Sequence, residues 1–285
     1  MRSTRRAPVK EMAFVGLLFV ALAIALLSLA ALLGFISIEG WPRLTPTLWE
    51  NMPSVRMPEL AGAQSAITGT LWVLSTTAVI CLPVGIMAAI YLEEYANPTS
   101  RFYRLVEINI QNLAAVPSIV YGILGLGVIA RALALGQTVI TAALTLSLLV
   151  LPIVIISTRE ALRAVPSSIR FGSMALGATK WQTTWRSVLP AAIPGTATGA
   201  ILALSRAIGE AAPLMMLGAV TFITFNPSGL SSAYTVIPIQ IYNWVSQSRA
   251  EYHVLAAALC VVLLVILLIM NGIAIFLRNR YQRRW

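Results

Sequence analysis

Long uncharged apolar runs alternate with short charged segments along this chain. The runs cover residues 12–38, 60–92, 108–130, 132–158, 187–205 and 252–277. Each run is near or above the roughly 20 residues that a membrane-spanning helix needs. We therefore predict six transmembrane helices, at about residues 12–38, 66–92, 108–130, 138–157, 191–217 and 253–277.

The fifth predicted helix is interrupted by two charges, Arg206 and Glu210, in the stretch ALSRAIGEAAP (203–213). A charge at the centre of a bilayer costs about 2.5–3.5 kcal/mol on insertion scales, so both residues need an explanation. Residues four apart share one face of a helix, and an ion pair between these two would neutralise both. The alternative is that Arg206 faces a transport path and transiently binds an anion. The pattern leaves both interpretations open.

Composition places the chain in the membrane class. Hydrophobic residues make up 58% of it and charged residues 11%, with a mean hydropathy of +0.83, whereas soluble domains carry about 25% charged residues. The first apolar run, residues 12–38, exceeds the roughly 7–15 residues of a signal-peptide core, so we expect it to remain as an anchor. The prediction is an all-α membrane protein.

The net charge of +10 reflects the topology of the chain. Fifteen of the 20 Lys and Arg residues fall on one predicted side of the membrane, in segments 1–11, 93–107, 159–186 and 278–285. The positive-inside rule then predicts that both termini are cytoplasmic, in a multi-pass protein of the cell (inner) membrane. The basic excess therefore does not indicate a nucleic-acid partner.

Several chemistries are excluded by the residues that the chain lacks. It has no Asp, a single His (His253) and no GxxxxGK[ST] motif, which excludes an aspartyl-phosphate ATPase, an HExxH zinc site and a phosphate-binding P-loop. Cys81 and Cys260 lie within apolar runs and are expected to be small buried hydrophobes. We predict no metal and no cofactor.

Two segments on the outer side are too long for simple turns. Residues 39–64 carry Trp41, Trp49 and four prolines, which favours an ordered but irregular loop near the lipid headgroups. Residues 218–251 contain VIPIQIYNW, whose Tyr242 and Trp244 are typical of an interfacial or re-entrant piece. Aromatic anchoring and contact with an outside partner both remain open for these segments.

The longest cytoplasmic segment, residues 158–190, has the pattern of two short helices joined by an elbow. The first helix is predicted to begin after Pro166 and to break at Gly177, and the second to begin at Thr179. Thr179 and Gln182 fit a capping box, and Pro190 marks the predicted start of the fifth span. A rigid elbow suits docking into a partner's groove, and an amphipathic connector is the alternative.

This elbow resembles the cytoplasmic loop of permease subunits of ATP-binding-cassette importers. The family pattern is EAA, three residues, Gly, nine residues, Ile, one residue, Leu-Pro; here Gly177 matches the glycine and Leu189-Pro190 the closing pair. The acidic position is Phe171, so this chain lacks the family's glutamate, and Ser187 replaces the branched apolar residue.

Further strings resemble the phosphate-specific importer, in its PstA-type permease subunit. They are NLAAVPSIVYGILGLG (112–127), STREALRAVP (157–166), ALGATKWQT (175–183), SRAIGEAAPL (205–214), PIQIYNW (238–244) and RNRYQRRW (278–285). The resemblance implies the type I permease fold of such importers, with six transmembrane helices and a cytoplasmic coupling helix. It implies a permease core at 65–277 containing a coupling loop at 158–190, an N-terminal tail with the first helix and outer loop at 1–64, and a basic tail at 278–285.

The same resemblance implies a transporter subunit that is not itself an enzyme. The expected partners are a second permease subunit (PstC type), two ATPase subunits (PstB type) that bind the ATP, an extracytoplasmic phosphate-binding protein (PstS type), inorganic phosphate and the lipid bilayer. The residues expected to couple to the ATPase are Ser173, Ala175, Leu176, Gly177, Ala178 and Thr179.

The predicted transport path centres on Arg206 and Glu210, with Asn112, Ser118 and Tyr121 of the third span as weaker candidates. An Arg offers paired donors to phosphate oxygens. A carboxylate accepts a hydrogen bond from protonated phosphate, whereas sulfate has no proton to donate. Two other functions stay open: a permease for another oxyanion such as sulfate or molybdate, and a non-transporting membrane scaffold or sensor.

Overall fold

The computed structural model describes residues 9–219 and 222–281, and these form helices and loops with no strand. The helices of the first half are α1 (Val9–Gly40), α2 (Pro46–Glu50), α3 (Gln64–Ile90), α4 (Arg101–Ala115), α5 (Ser118–Leu124) and α6 (Val139–Arg163). Those of the second half are α7 (Ser167–Ala175), α8 (Lys180–Thr183), α9 (Leu189–Gly209), α10 (Ala212–Met216), α11 (Ile237–Val245) and α12 (Ala250–Tyr281). The predicted basic ends, with Arg2, Arg5 and Arg6 before α1 and Arg283 and Arg284 after α12, lie outside the described residues.

Five helical runs among the described residues are long and apolar enough to cross a membrane. They are Glu11–Arg43, Gln64–Tyr95, Val139–Arg163, Lys180–Gly209 and Ala250–Arg280. A bent pair, Arg101–Ala115 and Ser118–Ala132, makes a sixth if it is counted as one span. The predicted all-α membrane fold is therefore confirmed, with a third span that is not straight.

The third span was predicted as one helix over 108–130, but it consists of two helices bent by 103°. Pro117 lies at the bend and has no N–H to donate to the carbonyl of Leu113, which a continuous helix would require. The hydroxyl of Tyr121 donates to that carbonyl instead, at 2.7 Å. The helix on the N-terminal side begins at Arg101, after a Ser100 hydroxyl that accepts from the Phe102 amide.

The fifth span also differs from its predicted start. The helical run is continuous from Lys180 to Gly209, because a π-helical turn, Thr184–Val188, joins α8 to α9. Pro190 lies in the first turn of α9, directly after this turn. The wider π turn accommodates a position that lacks an N–H donor. The second elbow helix and the fifth span therefore form one continuous helix.

The centre of the molecule is α6, which packs against α3 and α9. Small residues allow these helices to approach closely, as is common in membranes. A Cβ added at Gly85 of α3 would lie 2.7 Å from the Val154 side chain, and one at Gly195 of α9 would lie 2.7 Å from the Cβ of Ala161. Both faces of α6 are therefore tightly packed.

The N-terminal part of α12 carries a second core. Its Tyr252 and Leu255 pack with Leu48 of α2 and Trp244 of α11 in one buried cluster. Trp244 is therefore a core residue and not the interfacial anchor that its sequence context suggested, whereas Tyr242 is exposed. The apolar side chains of α1 stay largely exposed, and this helix packs along α12.

The segment between α1 and α3 is ordered and irregular, as predicted. A short 3-10 turn, Trp41–Arg43, precedes α2, and the Arg43 guanidinium donates to the carbonyls of Pro58 and Glu59. The Asn51 side chain adds a hydrogen bond to the carbonyl of Leu60 at 2.9 Å. These bonds fix a loop that has little regular structure.

Candidate functional site

Arg206 and Glu210 form the ion pair that their spacing predicts. The Nε of Arg206 lies 3.2 Å from Oε1 of Glu210. Helix α9 ends at Gly209, and Glu210 itself has an extended backbone (φ −81°, ψ 99°) before α10 begins at Ala212. The pair therefore lies at a helix break, and its two members lie on opposite sides of the last helical residue.

The pair leaves most of the Arg206 donors unused. Its side chain is 52% exposed and that of Glu210 17%. Only Nε of Arg206 is engaged, and the two terminal nitrogens have no hydrogen-bond partner within residues 9–219 and 222–281. A guanidinium carries five N–H donors in a planar fork, so the terminal nitrogens can bind an oxyanion while Nε stays paired.

Helix α5 packs against this break. Gly122 lies so close to α10 that an added Cβ would be 2.6 Å from the carbonyl oxygen of Pro213. Tyr121 is buried in one cluster with Ala203 and Ala207, which flank Arg206 on α9. The third span thus forms one wall beside the charged pair.

The weaker path candidates occupy different places. The hydroxyl of Tyr121 is engaged at the bend, Ser118 is half-buried at the first residue of α5, and Asn112 is exposed on α4, before the bend. The structure therefore brings Tyr121 next to the α9 residues around Arg206, while Asn112 belongs to the other arm of the bent span. Their roles in a path stay predictions.

The elbow has the predicted form. Helix α7 ends at Ala175, Gly177 has a positive φ of 86°, and Thr179 and Gln182 make both bonds of the capping box. A positive φ of this size favours glycine, which explains the break. Ser173 and Thr183 join the two arms through their hydroxyls, 3.0 Å apart.

The tip of the elbow is apolar and exposed. Leu176 is 91% exposed, and Phe171, Met174 and Trp181 are exposed around it. Contiguous exposed apolar residues on a rigid support are typical of interaction sites. Leu176 belongs to the predicted coupling residues; whether this set contacts an ATPase stays a prediction.

A buried ion-pair network next to the elbow was not predicted. Arg159 of α6, whose side chain is 7% exposed, pairs with Glu93 at 3.3 Å and with Glu107 at 3.2 Å, and it donates to the Tyr103 hydroxyl at 2.6 Å. Arg163 also pairs with Glu93, at 2.8 Å. In the sequence these residues were counted only for topology; the available signal was that acidic and basic residues gather at the same ends of the predicted helices.

The chain is similar to known membrane transport proteins. The family model described as "Binding-protein-dependent transport system inner membrane component" matches residues 81–283. The phosphate transport system permease protein PstA 1 of Mycobacterium tuberculosis (strain H37Rv) is 36% identical over 217 residues, which cover 75% of this chain and 70% of that protein. PstA of Mycobacterium leprae is 34% identical over 258 residues, covering 87% of this chain and 82% of that protein.

The fold has solved counterparts. A chain of a bacterial alginate ABC transporter, in complex with an alginate-bound periplasmic protein, superposes with a TM-score of 0.64 at 16% identity. The match covers 96% of this chain and 98% of that chain. At this identity the likeness establishes the fold.

Proposed function

The chain belongs to the family of binding-protein-dependent transport system inner membrane components, and we propose that it is the membrane-spanning permease subunit of an ATP-driven importer of inorganic phosphate. The main structural support for a path is Arg206, a half-exposed guanidinium at a helix break whose terminal donors have no partner among the described residues. The substrate class is supported by relatives named as phosphate permeases, at 36% and 34% identity over most of this chain. These names favour phosphate over sulfate or molybdate.

Arg206 binds the anion as it passes. Its terminal nitrogens donate to two phosphate oxygens, and such charge-assisted bonds are roughly twice as strong as neutral ones. The exposed face on which it lies is completed by a second, homologous permease subunit, so that the path runs between the two chains.

Glu210 has two roles beside the anion. It accepts a hydrogen bond from the proton that phosphate still carries near neutral pH, which sulfate cannot offer. It also holds the Nε of Arg206 at 3.2 Å, so the cation stays partly neutralised when the path is empty. This pairing prevents Arg206 from becoming a permanent trap for phosphate.

Transport requires an energy source outside this chain. Importing a divalent anion against an inside-negative potential costs about 4.6 kcal/mol per 100 mV, twice the value for one charge. The chain has no P-loop motif, so ATP is bound and hydrolysed by two separate ATPase subunits. Their docking site is the elbow, with Leu176 and its neighbours at the tip.

The orientation follows from the charge distribution. Both termini and the elbow face the cytoplasm, and the segments around α2 and before α11 face outward. An extracytoplasmic phosphate-binding protein delivers the anion to these outer segments. The protein is a multi-pass subunit of the cell membrane.

Reconstitution tests the proposal. The chain is purified with a second permease subunit and the ATPase subunits, placed in liposomes with the phosphate-binding protein, and assayed with radiolabelled phosphate. Uptake is expected to need ATP and to resist excess sulfate and molybdate. Uptake without ATP, or equal uptake of sulfate or molybdate, would overturn the assignment.

A further inference from the structure

Two adjacent carboxylates, Glu93 and Glu94, hold three parts of the molecule together. They lie on a π-helical turn, Tyr91–Tyr95, at the end of α3. Glu93 is bound by two arginines of α6, and Glu94 by Arg170 of α7, at 2.7 Å. We call these two residues the carboxylate joint.

Arg170 fixes the first elbow helix to this joint and to α6 at once. Its Nη2 and Nε both donate to the Glu94 carboxylate, an arrangement that defines direction as well as distance. Its remaining donors reach the carbonyl of Leu162, at 2.8 Å, and that of Val165, at 2.6 Å, at the end of α6. Every nitrogen of this guanidinium is therefore engaged, and α7 has little freedom to move without α3 and α6.

The other half of the joint reaches the third span. Arg159 is held by Glu93 and in turn binds Tyr103 and Glu107, both on α4. Burial makes these contacts strongly dependent on one another, since an unpaired charge in such a place is unfavourable. A displacement of Glu93 therefore moves the anchor of α4.

The bent span continues the connection to the charged pair. Helix α4 passes through the 103° bend into α5, whose Gly122 touches Pro213 three residues after Glu210. Each step is a direct contact between packed or hydrogen-bonded groups. A cavity of about 120 Å³, lined in part by Glu107, Arg159 and Arg163, lies beside the network and gives these side chains room to rearrange.

We propose that the carboxylate joint transmits the displacement of α7 to α4 and α6, and through the bent span to the break that carries Arg206 and Glu210. Arg170 and Glu94 are then positioning residues for coupling, which do not touch the transported anion. The inference rests on the proposed function, because it takes the elbow as the point where the ATPase acts. If these ion pairs only stabilised the fold, the geometry would be the same, but their loss would leave the amount of phosphate transported per ATP unchanged.

The first test compares Glu94→Gln with Glu160→Gln in the reconstituted complex. Glu160 forms an exposed pair with Arg163 and makes a matched acid-to-amide control. We expect Glu94→Gln to keep the parental ATPase rate. The amount of phosphate transported per ATP should fall about tenfold, which is within the range of typical coupling effects. The control is expected to keep the parental ratio. A parental ratio in Glu94→Gln overturns the joint, even if its melting temperature falls.

A second variant guards against a failure of assembly. Arg170→Lys keeps the charge but replaces the fork by a single ammonium, which cannot bind Glu94 and both carbonyls in the same way. We expect an intermediate loss of transport per ATP, by about threefold to fivefold. An unchanged ratio in this variant also contradicts the joint.

A readout independent of the transported anion separates the two proposals. Spin labels at Leu105 of α4 and Ile273 of α12, both exposed, report the movement of α4 when the complex binds ATP. The distance is expected to change in the parent and in Glu160→Gln but not in Glu94→Gln. The same change in all three overturns the joint, whereas a parent that moves but transports no phosphate refutes the proposed function alone.

Discussion

Arg206 and Arg159 are both paired with glutamate inside a membrane protein, but they differ in how many of their donors are used. Arg159 is 7% exposed and contacts Glu93, Glu107 and Tyr103. Arg206 is 52% exposed and contacts Glu210 through Nε. The first guanidinium binds three protein groups through its Nε and Nη2, whereas the second binds one group and keeps two nitrogens free among the described residues.

The difference supports a structural role for Arg159 and the proposed anion-binding role for Arg206. A buried charge is tolerated only when it is paired and hydrogen-bonded, so a buried network with several partners, such as that of Arg159, belongs to the scaffold. A half-exposed charge with spare donors is available to a mobile anion. The two sites should therefore respond to mutation in opposite ways.

Loss of Arg159 is expected to have the largest effect on stability. Arg159→Met leaves Glu93 and Glu107 partly buried beside an apolar side chain, and removal of one partner from a buried pair typically costs about 3–5 kcal/mol. Thermal unfolding of the purified complex measures this loss of stability. Arg206→Met is the control, and its free energy of unfolding should fall by less than about 1 kcal/mol, as is typical when an exposed ion pair is removed. Equal losses would erase the distinction between the two arginines.

The packing of α5 against the helix break should be sensitive to a single methyl group. Gly122→Ala places a Cβ 2.6 Å from the Pro213 carbonyl oxygen, and such overpacking costs about 1–3 kcal/mol. Gly127→Ala is the matched control, since nothing lies within 4 Å of its added Cβ. The free energy of unfolding and the rate of phosphate uptake should both be lowered in Gly122→Ala only. If Gly122→Ala behaves like Gly127→Ala, α5 is not a fixed wall of the site.

Glu210 should affect selectivity more than stability. Glu210→Gln removes the charged acceptor for the phosphate proton, and the loss of about 1 kcal/mol corresponds to about a fivefold drop in discrimination. The measurement is the concentration of sulfate that inhibits phosphate uptake by half, compared with the parent. Glu251→Gln, at an exposed acid paired with Arg249, is the control. An unchanged sulfate sensitivity would show that Glu210 does not select phosphate by accepting a hydrogen bond from its proton.

The smallest effect is expected at the exposed edge of the buried network. Glu160 pairs with Arg163 at 3.3 Å, and its side chain is 65% exposed. Glu160→Gln should change the free energy of unfolding by less than about 0.5 kcal/mol, because exposed ion pairs contribute little. A loss above 2 kcal/mol would show that the network extends to the surface.

Features set by neighbouring residues were predictable from the sequence. The elbow breaks at Gly177, and Thr179 and Gln182 cap the next helix, because both features depend on contacts within four residues. The pairing of Arg206 with Glu210 follows from the same short spacing. The apolar runs likewise indicated the membrane helices, since their length is set by bilayer thickness.

Features set by distant residues were not predictable from pattern alone. The third span is bent by 103° at Pro117, and its first arm, α4, is bound by Arg159, a residue more than 40 positions away. Glu93 and Arg159 are 66 residues apart, and Glu94 and Arg170 are 76 apart. Trp244 is buried because α2 and α12 cover it, which its local sequence does not reveal. Helical periodicity carries no information about such partners.

The most direct test of the central claim is the initial rate of ATP-dependent phosphate uptake by the reconstituted complex carrying Arg206→Gln, normalised to assembled complex. Charge-assisted hydrogen bonds contribute about 1.5–3 kcal/mol, so uptake should fall at least about tenfold. Assembly and melting temperature should stay near those of the parent, since the side chain is half-exposed. Parental uptake by a normally assembled Arg206→Gln complex would contradict the account.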